Sequence, residues 1–463
     1  MLLHQFEVPG LAQYSYIIAS EKQAIVVDPQ RDIEEYLKFA EEKDLHITHV
    51  LETHIHADFA SGAFALAQKT NAELWLSAYD EGQEYQYEFD HHAFHDNEEL
   101  NIGDLRIVAM HTPGHTPEHL SFLIFEKSRC GQPLALLSGD FLFVGSLGRP
   151  DLLGEEAKQS LAGELYESVH IKIAALPDGT SILPGHGAGS LCGAGMTERP
   201  WSTLGYERHC NIFMAQDSKK EFIEKILRSV PQFPKYYKRM KALNAKGAPS
   251  LTALTSGPKL TVTEFRECIA ENDAVILDVR TPDSFGGAHI PGAFNIGTGP
   301  NLSLWSGWVL PYDKPIYLAG DAHTNMGEVR RSLIRVGHDD IRGTLKGGMA
   351  AWIAEGFEQA HLPQISVGEL NERLPHNAFV LDVRSPKEWD AGHIVGAMHI
   401  PGGDLCQRLA EVPKKSQIHV ICGSGYRSSI AASILSRSDF DEVVNVIGGM
   451  TAWNAQRLPT AKH

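Results

Sequence analysis

Four short stretches carry residues able to ligate a metal: "THIHAD" with His54, His56 and Asp58, "HTPGHTPEH" with His115, "SGD" with Asp140, and "PGHG" with His186. Two histidines two residues apart on an extended loop can converge on one ion, and later loops can supply the other ligands. His54, His115 and Asp140 make a two-histidine, one-carboxylate set, with His56 close enough to assist. With open positions, such a set suits iron(II) and dioxygen chemistry better than a closed structural zinc site, although zinc binds the same ligands. A second chemistry lies near the other end, where "CGSGYR" places Cys422 and Arg427 in a C-x-x-G-x-R pattern. Loop N–H groups and the positive end of a following helix favour a thiolate there, and Arg427 adds positive charge. Gly423 and Gly425 permit a tight turn and close approach of a substrate, with Ser424 and Tyr426 completing the pocket wall.

The elements around these residues must hold them at one edge. In the first part, β-rich runs such as "QAIVVD", "ITHVLETH", "LRIVAMHTPGH" and "PLALLSGD" alternate with helical stretches. Each ends in polar residues, which puts His54, His115 and Asp140 at strand ends or in the following loops, where sites of layered α/β folds gather. A polar helical segment follows, then the Gly-, Pro-, Ser- and Thr-rich "KGAPSLTALTSGPK", read as a linker. The remainder repeats itself: "AVILDVRTPDSFGGAHIPGAFNI" resembles "AFVLDVRSPKEWDAGHIVGAMHI", and "GGMAAW" recurs as "GGMTAW". The expected organisation is residues 1–245, a linker at 246–259, and two small parallel-sheet α/β domains at 260–361 and 362–463. Asp278, Arg280, Asp382 and Arg384 of the two "LDVR" copies read as structural ion pairs and strand caps.

The four metal-site stretches, in this order, resemble the metallo-β-lactamase fold family, which implies an αββα architecture. In hydrolases of that family Asp58, the residue at 59 and His186 would hold a second zinc. Position 59 is Phe, which has no lone pair to donate, so a mononuclear site is expected. "THIHADFASGA", "HTPGHTPEHLSF", "SGDFLFVGSLGRPDL" and "LPGHGAGSLCGAGM" further resemble the persulfide dioxygenases, mononuclear iron enzymes that oxidise a persulfide sulfur to sulfite. The resemblance implies one iron(II) per chain on His54, His115 and Asp140, and a pocket lined by the "GRPDL" loop. Arg149 of that loop either binds a substrate carboxylate or forms a structural ion pair. Cys192, six residues after His186, either accepts or guides a persulfide sulfur or is a small buried residue. Cys130 and Cys210 have no such context, and Cys268 and Cys406 read as packing residues.

The Cys422 loop, with "LDVR" upstream and "GGMTAW" downstream, resembles the rhodanese sulfurtransferases. A phosphatase-like loop shares its anion cradle and thiolate, but is longer. In the middle repeat "IYLAGDAHTNMGEVRRSL" lies opposite "HVICGSGYRSSIAASIL", with Ala319 aligned on Cys422 and Asp321 bringing negative charge. Without a thiol no persulfide forms, so the middle repeat reads as an inactive spacer or assembly surface.

Composition bounds the rest. With 58 acidic against 41 basic residues the formal net charge is −17, which with no basic run argues against nucleic acid as a partner. No apolar stretch approaches the ~20 residues of a spanning helix, and six scattered cysteines suit a reducing cytoplasm. The expected activity is oxidation of a low-molecular-weight persulfide by dioxygen to sulfite, with Cys422 exchanging sulfane sulfur or forming thiosulfate, in a homo-oligomer. Two alternatives stand beside it: a zinc thioester hydrolase like glyoxalase II fused to a rhodanese, and a sulfur-relay or persulfide-sensing scaffold.

Overall fold

The computed structural model describes all residues except 130, 216–217, 231–232, 252–256, 272, 415 and 463, so Cys130 and the centre of the expected linker lie outside the described residues. The chain divides into two compact units, Met1–Ala253 with Ile334–Gly337, and Leu254–Leu333 with His338–His463.

The first unit is built on two six-stranded sheets. One runs in chain order through Leu2–Val8, Gln13–Ser20, Gln23–Val27, His46–Leu51, Glu73–Ser77 and His92–Phe94; the other is ordered Ser202–Thr203, Ser181–Pro184, Ala135–Gly139, Leu120–Glu126, Leu105–His111 and Glu99–Ile102. Side chains alternate between the faces of a strand, and the central strands here, such as Gln13–Ser20, Gln23–Val27 and Ala135–Gly139, are buried on both. Tyr16, Ile18, Ile25 and Val27 point inward to meet Ile107, Phe122, Ile124 and Leu137 of the other sheet. Their neighbours Ile17, Ala19, Ala24 and Val26 point outward, where Tyr36 and Ala40 of the helix Glu34–Glu42 and Leu66 of Ala63–Thr70 cover them. On the opposite outer face Leu123, Leu136 and Ile182 are covered by Leu165 of Lys158–Glu167 and Phe222 of Lys219–Ser229. The result is the expected αββα sandwich.

The second unit holds the two repeats, each a five-stranded sheet. The middle repeat is ordered Lys259–Leu260, Ile341–Leu345, Ile316–Ala319, Val275–Asp278, Phe294–Asn295, and the last Gln364–Ile365, Val443–Val446, Ile418–Ile421, Phe379–Asp382, Met398–His399. All pairings within both sheets are parallel. At the end of the strand beside each central one, Val275–Asp278 and Phe379–Asp382, an aspartate and an arginine two residues on close a buried pair: Arg280 on Asp278 and Arg384 on Asp382, each with a shortest contact of 2.6 Å. The same aspartate also accepts the backbone N–H of its arginine, so it caps the strand end as well as pairing the charge. Removing one partner of a buried pair leaves an uncompensated charge, which costs about 3–5 kcal/mol. Asp382→Ala is therefore expected to lower the stability of the last domain by about 3 kcal/mol, read as an earlier urea midpoint for that domain's transition.

Candidate metal centre and sulfur-transfer loop

The metal-ligand candidates converge at one edge of the two sheets of the first unit. His54, His56 and Asp58 follow the strand His46–Leu51, His115 lies between Leu105–His111 and Leu120–Glu126, Asp140 directly follows Ala135–Gly139, and His186 follows Ser181–Pro184 after Gly185. His54, His115 and Asp140 offer ligand atoms that all lie within 4.8 Å of one another, and all three residues are buried. Asp140 Oδ2 stands 3.5 Å from His115 Nε2 and 3.9 Å from His54 Nε2.

Hydrogen bonds behind the rings set which nitrogen carries a proton. His115 Nδ1 donates to the carbonyl of Arg149 at 2.9 Å, which leaves the Nε2 lone pair facing Asp140. The Thr53 hydroxyl donates to Asp28 Oδ2, so it accepts from His54 Nδ1 and again leaves Nε2 bare. Burial and neighbouring imidazoles push His54 and His115 well below the usual histidine range, so both stand as neutral ligands. Orientation by an outer hydrogen bond is the habit of metal-binding histidines.

Five buried atoms here have no hydrogen-bond partner: His56 Nδ1, Asp58 Oδ1, His115 Nε2, Asp140 Oδ2 and His186 Nε2. Leaving one such group unsatisfied costs about 1–3 kcal/mol, and a divalent cation would satisfy several at once. The residues present therefore fit a metal. His56 is turned partly away from the trio, its Nε2 on Asp28 Oδ1 at 3.0 Å and its Nδ1 unpartnered.

A second trio, Asp58, His186 and Cys192, also offers ligand atoms within 4.8 Å of one another. His186 is held between two carboxylates, Nδ1 2.6 Å from Asp140 Oδ1 and Nε2 2.7 Å from Asp58 Oδ2, the latter without hydrogen-bond alignment. Burial disfavours its charge, but Asp140 and Asp58 outweigh this and hold it well above the usual histidine range. Phe59 is 1% exposed, with its ring 4.4 Å from that of His56 and 6.4 Å from that of His186. Cys192 is buried, and burial together with Asp58 and Asp140 pushes its thiol up.

Arg149 is fully buried. Its Nε and one terminal nitrogen donate to Asp151 at 2.7 and 2.8 Å, and the other donates to Leu191 O. Of the two readings of this residue, the geometry is that of the ion pair. Several supports were not singled out in the sequence. His119 Nε2 accepts the Asp140 N–H at 3.1 Å, and the helix Tyr236–Ala245 holds the first histidine loop. Tyr236 donates to Asp58 O, Lys241 to Ile55 O, and Asn244 to His56 O and Phe59 O. His119 was discoverable as the last histidine of "HTPGHTPEH"; the helix contacts pair distant segments and were not.

In the last domain Cys422 lies between the strand Ile418–Ile421 and the helix Tyr426–Ser436, and is 0% exposed. Its sulfur accepts the N–H of Gly425 at 3.1 Å and the hydroxyl of Ser428 at 3.4 Å. Gly425 has φ +106°, a turn that a side chain would strain. Arg427 is committed to a two-pronged pair with Glu388 at 2.6 and 2.7 Å, so its charge near the loop is largely balanced. Burial favours the neutral Glu388 carboxyl, but hydrogen bonds from Arg427 and Ser385 pull it down to about 2. Ser424, Gly425 and Tyr426 line a groove of about 540 Å³, across which the middle repeat contributes Pro282 and Asp283; Gly423 is not in its wall. The middle repeat also docks on the helix after the loop: Ser429 donates to Asn295 Oδ1 at 2.6 Å and Tyr426 to Gly297 O at 3.1 Å.

The middle repeat requires a correction. Asp278 pairs in register with Ala319, and Asp382 with Ile421, so the residue in the place of Cys422 is Gly320, not Ala319. Met349 N–H bonds to Gly320 O just as Met450 N–H bonds to Cys422 O. The mismatch arose because the middle loop, from Gly320 to the helix start at Met326, is longer than Cys422 to Tyr426. A Cβ at Gly320 would lie 2.5 Å from the Met326 methyl. Cys406 is exposed rather than packed, Cys210 is exposed and Cys268 half-buried.

The family comparisons agree with this division. The Metallo-beta-lactamase superfamily model matches residues 8–186, and the Rhodanese-like domain model matches 261–355 and 366–456. A crystal structure of a metallo-beta-lactamase from Staphylococcus aureus subsp. aureus COL is 35% identical, covering 75% of this chain and 99% of its own, with a TM-score of 0.67. The hydroxyacylglutathione hydrolase GloC of Haemophilus influenzae is 28% identical over 222 residues, 44% of this chain and 93% of the relative. The putative sulfur carrier protein YrkF of Bacillus subtilis is 34% identical over 97 residues, 20% of this chain and 52% of the relative. The chain belongs to the metallo-β-lactamase superfamily, and carries two rhodanese-like domains after that fold. No helix among the described residues is long and apolar enough to cross a membrane.

Two outcomes test the site. His115→Ala is expected to bring metal content per chain, measured by elemental analysis, close to zero. Gly320→Cys is expected not to create a second sulfurtransferase nucleophile, since a Cβ there would lie 2.5 Å from the Met326 methyl and that side chain would have to move; mass spectrometry after treatment with a sulfane donor should find added sulfur on Cys422 and none on the introduced cysteine.

Proposed function

We propose that the chain joins a mononuclear iron(II) persulfide dioxygenase to a Cys422 sulfurtransferase. The observation that carries this reading is Phe59, a buried aromatic ring beside His56 where a dinuclear hydrolase would place a ligand. His54, His115 and Asp140 would hold the metal, with His56 in reserve. When bound, ferrous iron would supply activation of dioxygen beside a persulfide sulfur. The overall change is persulfide plus dioxygen plus water giving thiol, sulfite and two protons. Around that centre, Thr53 and the Arg149 carbonyl fix the ring tautomers, His119 steadies the Asp140 backbone, and His186 holds both Asp58 and Asp140. Cys192, beside Asp58 and His186, sits where it would contact an incoming sulfur.

In the second step the Cys422 thiolate attacks the outer sulfur of a persulfide, the S–S bond breaks, and the thiol leaves with a proton. The new Cys422 persulfide is stabilised by the Gly425 N–H and the Ser428 hydroxyl. Sulfite then takes that sulfur, giving thiosulfate and restoring the thiolate. Carrying both sites on one chain raises the effective concentration of sulfite at the second. The substrates are a low-molecular-weight thiol persulfide and dioxygen, and we place the protein, as a homo-oligomer, in the cytoplasm.

One other reading has specific support. The Asp58, His186 and Cys192 trio and the relationship to a hydroxyacylglutathione hydrolase favour a two-metal zinc thioester hydrolase in the first unit. Three measurements separate them. Iron-loaded protein is expected to consume dioxygen with glutathione persulfide, and to contain one metal per chain; two zincs and turnover of an acyl-glutathione thioester would overturn the dioxygenase. Phe59→His is expected to add a second metal per chain by elemental analysis while lowering dioxygen uptake. Cys422→Ala is expected to leave dioxygen uptake intact and abolish thiosulfate formation, so that sulfite accumulates.

A further inference from the structure

The middle repeat has lost its nucleophile but retains a cradle. A cavity of about 360 Å³ is lined by Ala322, Asn325, Met326 and Gly327 of the loop and helix start, by Lys259 and Thr344 from the sheet, and by Lys346 just after its strand. Among the described residues, the backbone N–H groups of Ala322, Asn325, Met326 and Gly327 have no protein acceptor, and they lead into the nine-residue helix Met326–Ile334. Unpaired N–H groups at a helix start carry positive partial charge.

An independent feature points to a ligand. Thr344 is 3% exposed and its hydroxyl has no partner. It pairs in register with Leu318, as Asn445 pairs with Val420, so Thr344 stands in the place of Asn445. The Asn445 side chain reaches the active loop and donates to Gly425 O. Thr344 lines the cavity together with the corresponding loop of the middle repeat and the paired Gly347 and Gly348, which have φ +80° and +64°. A Cβ on Gly348 would come within 2.3 Å of Gly320 O, so the close seating of this loop depends on that glycine. Of the charged residues in the lining, two are cations, Lys259 and Lys346, and one is an anion, Asp321. The Asp321 side chain is exposed, and its N–H is taken by Thr324 Oγ1.

We propose that this cradle binds a small tetrahedral oxyanion without turning it over. The ligand chemistry is free N–H groups and a hydroxyl donating to oxyanion oxygens, with two lysines balancing the charge. Thiosulfate and inorganic phosphate share that chemistry, and the proposal stands independently of the activity assigned to the first unit.

The test is isothermal titration of the full chain with thiosulfate and, separately, with phosphate, comparing wild type with the double variant Lys259→Glu, Lys346→Glu. Both lysines are exposed, so the variant should fold, which circular dichroism checks. The wild type is expected to bind an oxyanion at a site that the double variant loses, with affinity falling at least tenfold. Asp321→Asn should tighten the same site severalfold, and Thr344→Val should weaken it. Tighter binding of thiosulfate marks a sulfur-oxyanion site; tighter binding of phosphate marks a general phosphate site, and either supports the cradle. Binding unchanged by both the lysine pair and Asp321→Asn, or no binding at millimolar anion, overturns it. As a location check, crystals of the full chain soaked in tungstate should show the anomalous peak over Ala322–Gly327; a peak confined to the Cys422 loop counts against the proposal.

Discussion

The two oxygens of Asp140 face opposite ways, and much of the first unit is arranged around that split. One faces the bare nitrogens of His54 and His115; the other lies 2.6 Å from His186, which also touches Asp58. A carboxylate buried at 0% exposure is costly unless its charge is met, and here His186, whose charged form Asp140 and Asp58 favour, meets it on one side. In a dinuclear centre a metal would be expected on that side. There His186 lies 2.6 Å from Asp140 and 2.7 Å from Asp58, and Phe59 is buried beside His56. Unpartnered donor atoms lie on both sides, His115 Nε2 and Asp140 Oδ2 on one and Asp58 Oδ1 and His186 Nε2 on the other.

The large features were legible in the sequence because they rest on local pattern. Apolar strand runs, four of them leading into polar ligand candidates, gave the sandwich and the edge where the site gathers. The duplicated "LDVR" and "GGM" segments gave two domains and a shared topology. What escaped was whatever depends on distant segments meeting. Neither Tyr236 nor Asn244 has any neighbour in sequence that announces a bond to the histidine loop. The fate of Arg149 turned on the position of Asp151 and of the Leu191 carbonyl, and its burial could not be read from charge. Gly320 was misplaced by one residue for a related reason: a longer loop displaces a letter-by-letter alignment, whereas strand register does not drift.

The two repeats show how one scaffold separates binding from reaction. Their buried aspartate–arginine pairs, double glycines and parallel sheets are the same, and they differ in loop length and in what fills the space over the central strand. In the last domain that space holds a sulfur ringed by an N–H and a hydroxyl; in the middle domain it holds a methionine methyl. The middle domain nevertheless supports its neighbour, since Asn295 and Gly297 engage Ser429 and Tyr426 on the helix behind the reactive loop.

The clamp formed by Tyr236–Ala245 also bears on biosynthesis. The residues it holds, 55–59, leave the ribosome nearly two hundred residues before Asn244 does, so the nascent histidine loop waits for most of its domain before its carbonyls are secured. The loop's final shape therefore depends on a helix that emerges at the end of the domain.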